Sequence, residues 1–235
     1  NAPTVSGGMT GGTAGSGQSS ISGTLTNPTN TPQTATYTVT PTTSIPCPGN
    51  SFTVTVTVNP TPNVSTASPT TICSGTATNI ALNSNVNGAS FSWTIGAITG
   101  GITGASASSG TTIEQTLTNT GNTAGSVTYI VTPSANSCSG VATNIVVTVN
   151  PTPDVLTTSP TTICSGSATN IALNSNVSGT TFTWTIGAIT GGITGASASG
   201  GPSITQTLTN PSSSTGSDTY VVTPSANTCP GVTTN

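Results

Sequence analysis

The chain has 235 residues with no Lys, Arg or His, and its only carboxylates are Glu114, Asp154 and Asp218, a formal net charge of −3. Proton-transfer catalysis needs acids and bases brought together with tuned pKa values, hard cations need clustered carboxylates, and phosphate backbones and anionic lipids need Lys or Arg. No enzyme activity, cofactor, bound metal, nucleic-acid partner or membrane insertion is therefore expected, and no run approaches the roughly 18 apolar residues of a membrane helix.

The bulk of the chain is hydroxyl, amide, glycine and small apolar groups, with 56 Thr and 33 Ser. Disorder is the first alternative for so polar a composition. Ordered β structure is the better reading, because Thr, Val and Ile are strand formers and they alternate here. The chain also repeats itself every 91 residues: Cys73 recurs as Cys164, Trp93 as Trp184, Asn59-Pro60 as Asn150-Pro151, and Cys47 as Cys138 and Cys229. A fixed long period is the mark of one structural unit copied in tandem. It divides the chain into the later part of a repeat (1–59), a complete repeat (60–150) and a repeat without its last strand (151–235), as expected for a segment of a longer array.

In chain order, the complete copy opens on Pro60-Thr61-Pro62, a stiff entry unable to pair as a central strand. Asn63 to Ala67 reads as an edge strand, broken by Ser68-Pro69, with Thr70 to Cys73 continuing on the other sheet. Ser74-Gly75 is a turn. Thr78 to Asn83 alternates, with Ile80 and Leu82 on one face. Ser90 to Ile95 points Phe91, Trp93 and Ile95 inward. Gly96 to Gly110 reads as short strands and turns. Thr112 to Asn119 alternates again, but puts Gln115 on the inner face beside Ile113 and Leu117, a flaw that a bulge would remove. Gly125 to Pro133 points Val127, Tyr129 and Val131 inward. A turn holding Cys138 follows, and Ala142 to Val149 is the last strand. About seven short strands without a helix predict an all-β fold: tandem antiparallel β-sandwiches of immunoglobulin type. The core anchors are Phe91, Trp93 and Tyr129, and one copy later Phe182, Trp184 and Tyr220. Residues 151–235 lack the counterpart of Ile145 to Val149, which leaves an edge unpaired. Either neighbouring residues of a longer chain or a strand from another subunit fills that gap.

Five cysteines point to an oxidising compartment. The expected pairs lie within repeats, Cys73 with Cys138 and Cys164 with Cys229, leaving Cys47 to a partner outside the chain. Loops of about 65 residues would stabilise by roughly 4 kcal/mol on the chain-entropy model. In an immunoglobulin topology, however, the first turn and the last hairpin lie at opposite ends, and Cα atoms beyond about 7 Å cannot be bridged. A staple between repeats, Cys73 to Cys229, stays open for that reason. No C-x₂-C pair suggests zinc, and no base or cation activates a thiol. Asn63-Val64-Ser65 and Asn176-Val177-Ser178 fit the N-linked acceptor pattern, with an unmodified turn Asn as the commoner reading of so short a motif.

The series Asn150-Pro151-Thr152-Pro153, Ile163-Cys164-Ser165-Gly166, Phe182-Thr183-Trp184, Tyr220-Val221-Val222-Thr223-Pro224 and Cys229-Pro230-Gly231 resembles the PKD-like, immunoglobulin-like repeats of giant Bacteroidota surface proteins. The earlier copy matches in the same order. The resemblance implies export to the bacterial cell surface by the type IX route and membership of an adhesin or gliding-linked fibre. The Gly-Asp-Gly-type turn of many PKD domains is absent, so ligand roles ascribed to that turn do not carry over.

The leading expectation is a structural one: a stiff extracellular stalk whose partners are neighbouring repeats or identical subunits. A lectin is the alternative, with Trp93 and Trp184 stacking on surface glycans, although both sit at inward parity. A third reading takes Thr53, Thr55 and Thr57, alternating with Val54, Val56 and Val58, as an ice- or mineral-ordering face; a solvated strand face is the simpler account.

Overall fold

The computed structural model describes residues 1–43, 47–66, 70–157 and 161–235. Among these residues every regular element is a β-strand. The alternation of β-branched residues explains why: a pleated strand sends successive side chains to opposite faces. Burial alternates through all eleven residues of the Gly125–Ala135 strand.

In the middle repeat one sheet runs in the order Ser108–Ser109, Ser90–Thr99, Gly125–Ala135, Thr143–Asn150, Thr70–Cys73, with Cys138–Ser139 also hydrogen-bonded to Gly125–Ala135. The register sets Val131 against Trp93 and Tyr129 against Ile95, and a bulge lies between Val127 and Tyr129. On the other side Tyr129 faces Ile145 and Val127 faces Val147. The opposing layer is built from shorter pairs: Thr116–Asn119 between Ile102–Thr103 and Thr76–Ala77, and Thr112–Ile113 on Ile80–Ala81. Phe91, Trp93, Val127, Tyr129, Val131, Ile145, Val147 and Val149 from the first layer meet Ile80, Leu82, Ile102, Ile113 and Leu117 from the second. This is the all-β, immunoglobulin-like sandwich that the alternation predicts.

Three details differ from the sequence reading. The pairing of Thr143–Asn150 with Thr70–Cys73 is parallel, setting Asn150 against Cys73, so the sandwich is not wholly antiparallel. The expected strand over 112–119 breaks at Glu114-Gln115 into two pieces with different partners. Residues 63–66 form no strand; Ser65 N donates to Asn83 O at 2.8 Å, while the rest of that expected strand and the break at Ser68-Pro69 lie outside the described residues.

The last repeat keeps the plan. Thr181–Ile189 pairs with Asp218–Ala226, Trp184 against Val222 and Ile186 against Tyr220. A single bridge, Val222 to Thr234, repeats the Val131–Thr143 pair of the middle copy. The slot beyond it is open. At the other end, Gln33–Val39 lies between Thr4–Val5 and Phe52–Val58, with Met9, Ala35 and Tyr37 buried.

Candidate functional site: the junction between repeats

The junction begins with a hairpin. Ala135 pairs directly with Cys138, so the loop is only Asn136-Ser137, and both residues have positive φ (49° and 64°). That is a type I′ turn, whose twist suits the flanking strands and whose first position favours Asn. Asn227-Thr228 repeats it at 50° and 65°, with Ala226 opposite Cys229. The turn therefore fixes each hairpin cysteine. Behind it, Gly140 N donates to Pro133 O at 2.9 Å and Gly231 N to Pro224 O at 2.8 Å. A Cβ at Gly140 would collide with the carbonyl of Pro62, and one at Gly231 with that of Pro153. Only glycine lets the Pro-rich entry segment lie against the hairpin. Pro60 and Pro62 are fully buried in consequence.

The same contact joins repeat to repeat at both junctions. Asn59 Nδ2 donates to Asn136 O at 3.0 Å, and Asn150 Nδ2 donates to Asn227 O at 3.5 Å. At the second junction a disulfide accompanies it: Cys73 is bonded to Cys229, with Cα atoms 5.5 Å apart and a sequence separation of 156 residues. This corrects the within-repeat pairing of Cys73 with Cys138 and of Cys164 with Cys229. The physical reason is the parallel ladder. It ends with Cys73 beside Asn150, at the end of the sandwich that meets the next hairpin. Cys47, Cys138 and Cys164 carry free thiols.

The aromatic anchors are inside. Phe91, Trp93, Tyr129, Phe182, Trp184 and Tyr220 are all buried. Trp93 Nε1 donates to Ser106 O at 3.2 Å and Trp184 Nε1 to Ser197 O at 3.2 Å, as a buried indole requires. Tyr129 donates to Gln115 Oε1 at 3.0 Å, and Tyr220 to Gln206 Oε1 at 3.0 Å. Each glutamine also donates to the serine carbonyl that its repeat's Trp uses, Gln115 at 2.8 Å and Gln206 at 2.7 Å. Gln115 thus leaves the strand face to tie the Tyr hydroxyl to the Trp loop. Reading it as a flaw missed this role, although its recurrence as Gln206 one repeat later was the available signal. Burial pushes both tyrosine hydroxyls up to about 12, so they remain donors.

The acceptor-pattern asparagines, Asn63 and Asn176, are both exposed and lie outside the strands. Asn63 Oδ1 accepts from Asn85 N at 2.9 Å. Asp154, its counterpart, accepts from Asn176 N at 2.8 Å and from Asn176 Nδ2 at 2.6 Å, which commits the amide that a glycan would need. The Ser175 hydroxyl and the Asn176 backbone amide hold the Asp154 carboxyl below the usual range.

The open slot of the last repeat is a cavity of about 900 Å³, lined among others by Ile171, Leu173, Ile204, Leu208, Asp218 and Tyr220. Asp218 stands where the middle repeat has the fully buried Val127. Its carboxylate oxygens lack a well-formed hydrogen bond, because the Tyr220 hydroxyl is turned to Gln206, although that hydroxyl and the Thr219 amide stand near enough to offset part of the burial. Burial pushes its pKa up. Among the described residues no group of three or more His, Cys, Asp or Glu is placed to hold a metal.

Residues 1–62, 70–153 and 161–235 each match the family model described as the PKD-like domain. The chain belongs to the PKD-like domain family. Repeats of this kind are commonly structural or adhesion modules. No curated protein matches the chain. Among solved structures, the PKD-like chain is similar to a protocadherin gammaB7 EC3-6 cis-dimer, with 13% identity, a TM-score of 0.32 and coverage of 95% of this chain and 60% of that one. It is also similar to protocadherin gamma B2 extracellular cadherin domains 3-6, with 11% identity, a TM-score of 0.28 and coverage of 82% and 55%. The chain thus spans less than two thirds of either. No helix among the described residues is long and apolar enough to cross a membrane.

Proposed function

We propose that the chain is a stiff stalk segment of an extracellular filament or large surface adhesin, organised as repeats at 1–59, 60–150 and 151–235. The observation that carries this reading is the Cys73–Cys229 bond between consecutive repeats. A disulfide inside one domain protects that domain; one between domains fixes their relative placement. The buried Pro60 and Pro62 act in the same direction, because a proline-rich segment packed into the fold cannot serve as a hinge. The sequence resemblance to Bacteroidota surface repeats supports a bacterial cell-surface setting and the type IX route. Electron microscopy of the unreduced protein tests the reading. Straight, regularly segmented rods that become bent on reduction are expected; equal flexibility with and without the disulfide would remove its main support.

The alternative of a fibre subunit completed by strand exchange would set a strand of another protomer where the middle repeat has Thr143–Asn150. The lectin alternative loses its platform. Trp93 and Trp184 are buried and bonded to backbone carbonyls, and neither presents a face to a sugar.

A further inference from the structure

We propose that the Cys73–Cys229 staple is one member of a periodic set: Cys164 and Cys138, like Cys47 one period before Cys138, are open halves of the same linkage, each made to bond a cysteine of the opposite kind in an adjoining repeat. Cys164 takes a hairpin cysteine of the Cys229 kind, and Cys138 takes a turn cysteine of the Cys73 kind.

The inference rests on a bond already formed by equivalent residues, not on free thiols alone. Cys164 stands in the segment Thr162-Ile163-Cys164-Ser165-Gly166, a copy of Thr71-Ile72-Cys73-Ser74-Gly75. The turn is held identically in both: Gly75 N donates to Leu117 O and Gly166 N to Leu208 O, each at 2.8 Å. Cys138 stands on the same type I′ hairpin as Cys229. That hairpin meets the preceding unit through the same asparagine contact, Asn59 to Asn136 in one case and Asn150 to Asn227 in the other. Exposure agrees: the bonded Cys229 is buried, while Cys138 is half-buried and Cys164 exposed. Forming each bond removes two protons and two electrons from two thiols. A disulfide oxidant such as oxidised glutathione accepts them and leaves as two thiols.

The pattern has a mechanical consequence that composition does not show. A staple reaches from the turn of one repeat to the hairpin of the next, a separation of 156 residues. A hairpin cysteine and the turn cysteine that follows it are much closer, as Cys47 with Cys73 and Cys138 with Cys164 show. In a periodic set, consecutive staples overlap. A covalent path then crosses one staple, follows the short stretch from hairpin to next turn, and crosses another staple, so that each such step covers two repeats. Fully extended at about 3.5 Å per residue, that path contributes roughly 90 Å of backbone per two repeats, against roughly 630 Å without staples. Unfolding the sandwiches then adds little length.

The test is disulfide mapping of the native protein, alkylated with N-ethylmaleimide before any reduction and cut with pepsin or thermolysin, since trypsin has no site. Cys47, Cys138 and Cys229 lie in peptides of different sequence, and those of Cys73 and Cys164 are told apart when they extend to Thr76 or Ser167. Expected are Cys73 joined to Cys229, Cys164 joined to a peptide of the hairpin kind, and Cys138 joined to one of the turn kind. The partner's sequence tells a further repeat of the same polypeptide from a second copy. Recovery of Cys138 and Cys164 as alkylated free thiols, or joined to each other, overturns the proposal. The double variant Cys138→Ser/Cys164→Ser serves as control. It should fold and retain the Cys73–Cys229 peptide, while losing both linkages made through positions 138 and 164.

Discussion

The middle and last repeats are nearly the same text folded in different company. In the middle copy Thr143–Asn150 closes the sheet, and thirteen buried residues form one cluster. In the last copy that strand is represented by the Thr234 bridge, and the equivalent cluster holds six. Trp184, Phe182 and Tyr220 still find their places, so the aromatic anchors and their glutamine clamp do not need the closing strand. The aliphatic rim does. Leu117 is fully buried, while Leu208 stays half-exposed. The Cys73–Cys229 bond fastens the incomplete sandwich to the complete one. The lesson is that a sandwich of this type has an inner part that assembles from local alternation and an outer part that depends on its closing strand.

Four sets of substitutions probe this contrast. Where both indoles remain, each repeat is followed by its own, Trp93 in Trp184→Phe and Trp184 in Trp93→Phe; the Trp93→Ala and Trp184→Ala variants are followed by the circular dichroism of the sheets. The largest effect is expected from Cys229→Ser. Removing a constraint on 156 residues costs about 5 kcal/mol on the chain-entropy model, and the last repeat should lose most of it; equal losses in both repeats would contradict the asymmetry. Next is Trp93→Ala, which leaves a large hole in the closed core and should cost about 3–5 kcal/mol. Trp184→Ala, in a cluster of six buried residues instead of thirteen, should fall at the low end. Gln115→Ala strands the Tyr129 hydroxyl and should cost about 1–3 kcal/mol, whereas Gln206→Ala should cost less because Tyr220 is nearer water. Chemical denaturation of the two variants side by side decides this.

The smallest effect is a gain. Asp218→Val restores the residue found at position 127 and should stabilise the last repeat by about 1 kcal/mol, by removing a half-buried carboxylate that lacks a well-formed hydrogen bond. Acid separates the two aspartates. Asp218 has a raised folded-state pKa, so its cost is present when ionised and is relieved as pH falls through that value. Asp154 has a lowered one, so its contribution is present above the unfolded pKa and is lost as pH falls through the folded one. Unfolding of the last repeat should therefore show opposing acid trends in the parent chain. In Asp218→Val it should show only loss of stability toward low pH, and a persistent gain in that variant would refute the assignment.

Much of this was legible without coordinates. Val127, Tyr129 and Val131 declare an inner face by alternation, and Trp93 shares it by the same parity. The fixed spacing of Cys, Trp and Asn-Pro declares the tandem unit. The role of Gln115 was not legible, because a polar residue at inward parity reads as an error until the Tyr129 hydroxyl and the Ser106 carbonyl are seen beside it. Nor was the parallel ladder of Thr70–Cys73 on Thr143–Asn150, since strand formers do not encode the direction of a partner that lies most of a repeat away along the chain.

Residue order alone determined the layers, the anchors and the poverty of ionisable chemistry, because side-chain period and composition are local properties of a chain. Only the assembled fold decided the cysteine connectivity. Disulfides follow distance, and the distance between Cys73 and Cys229 is set by how one sandwich rests on the next.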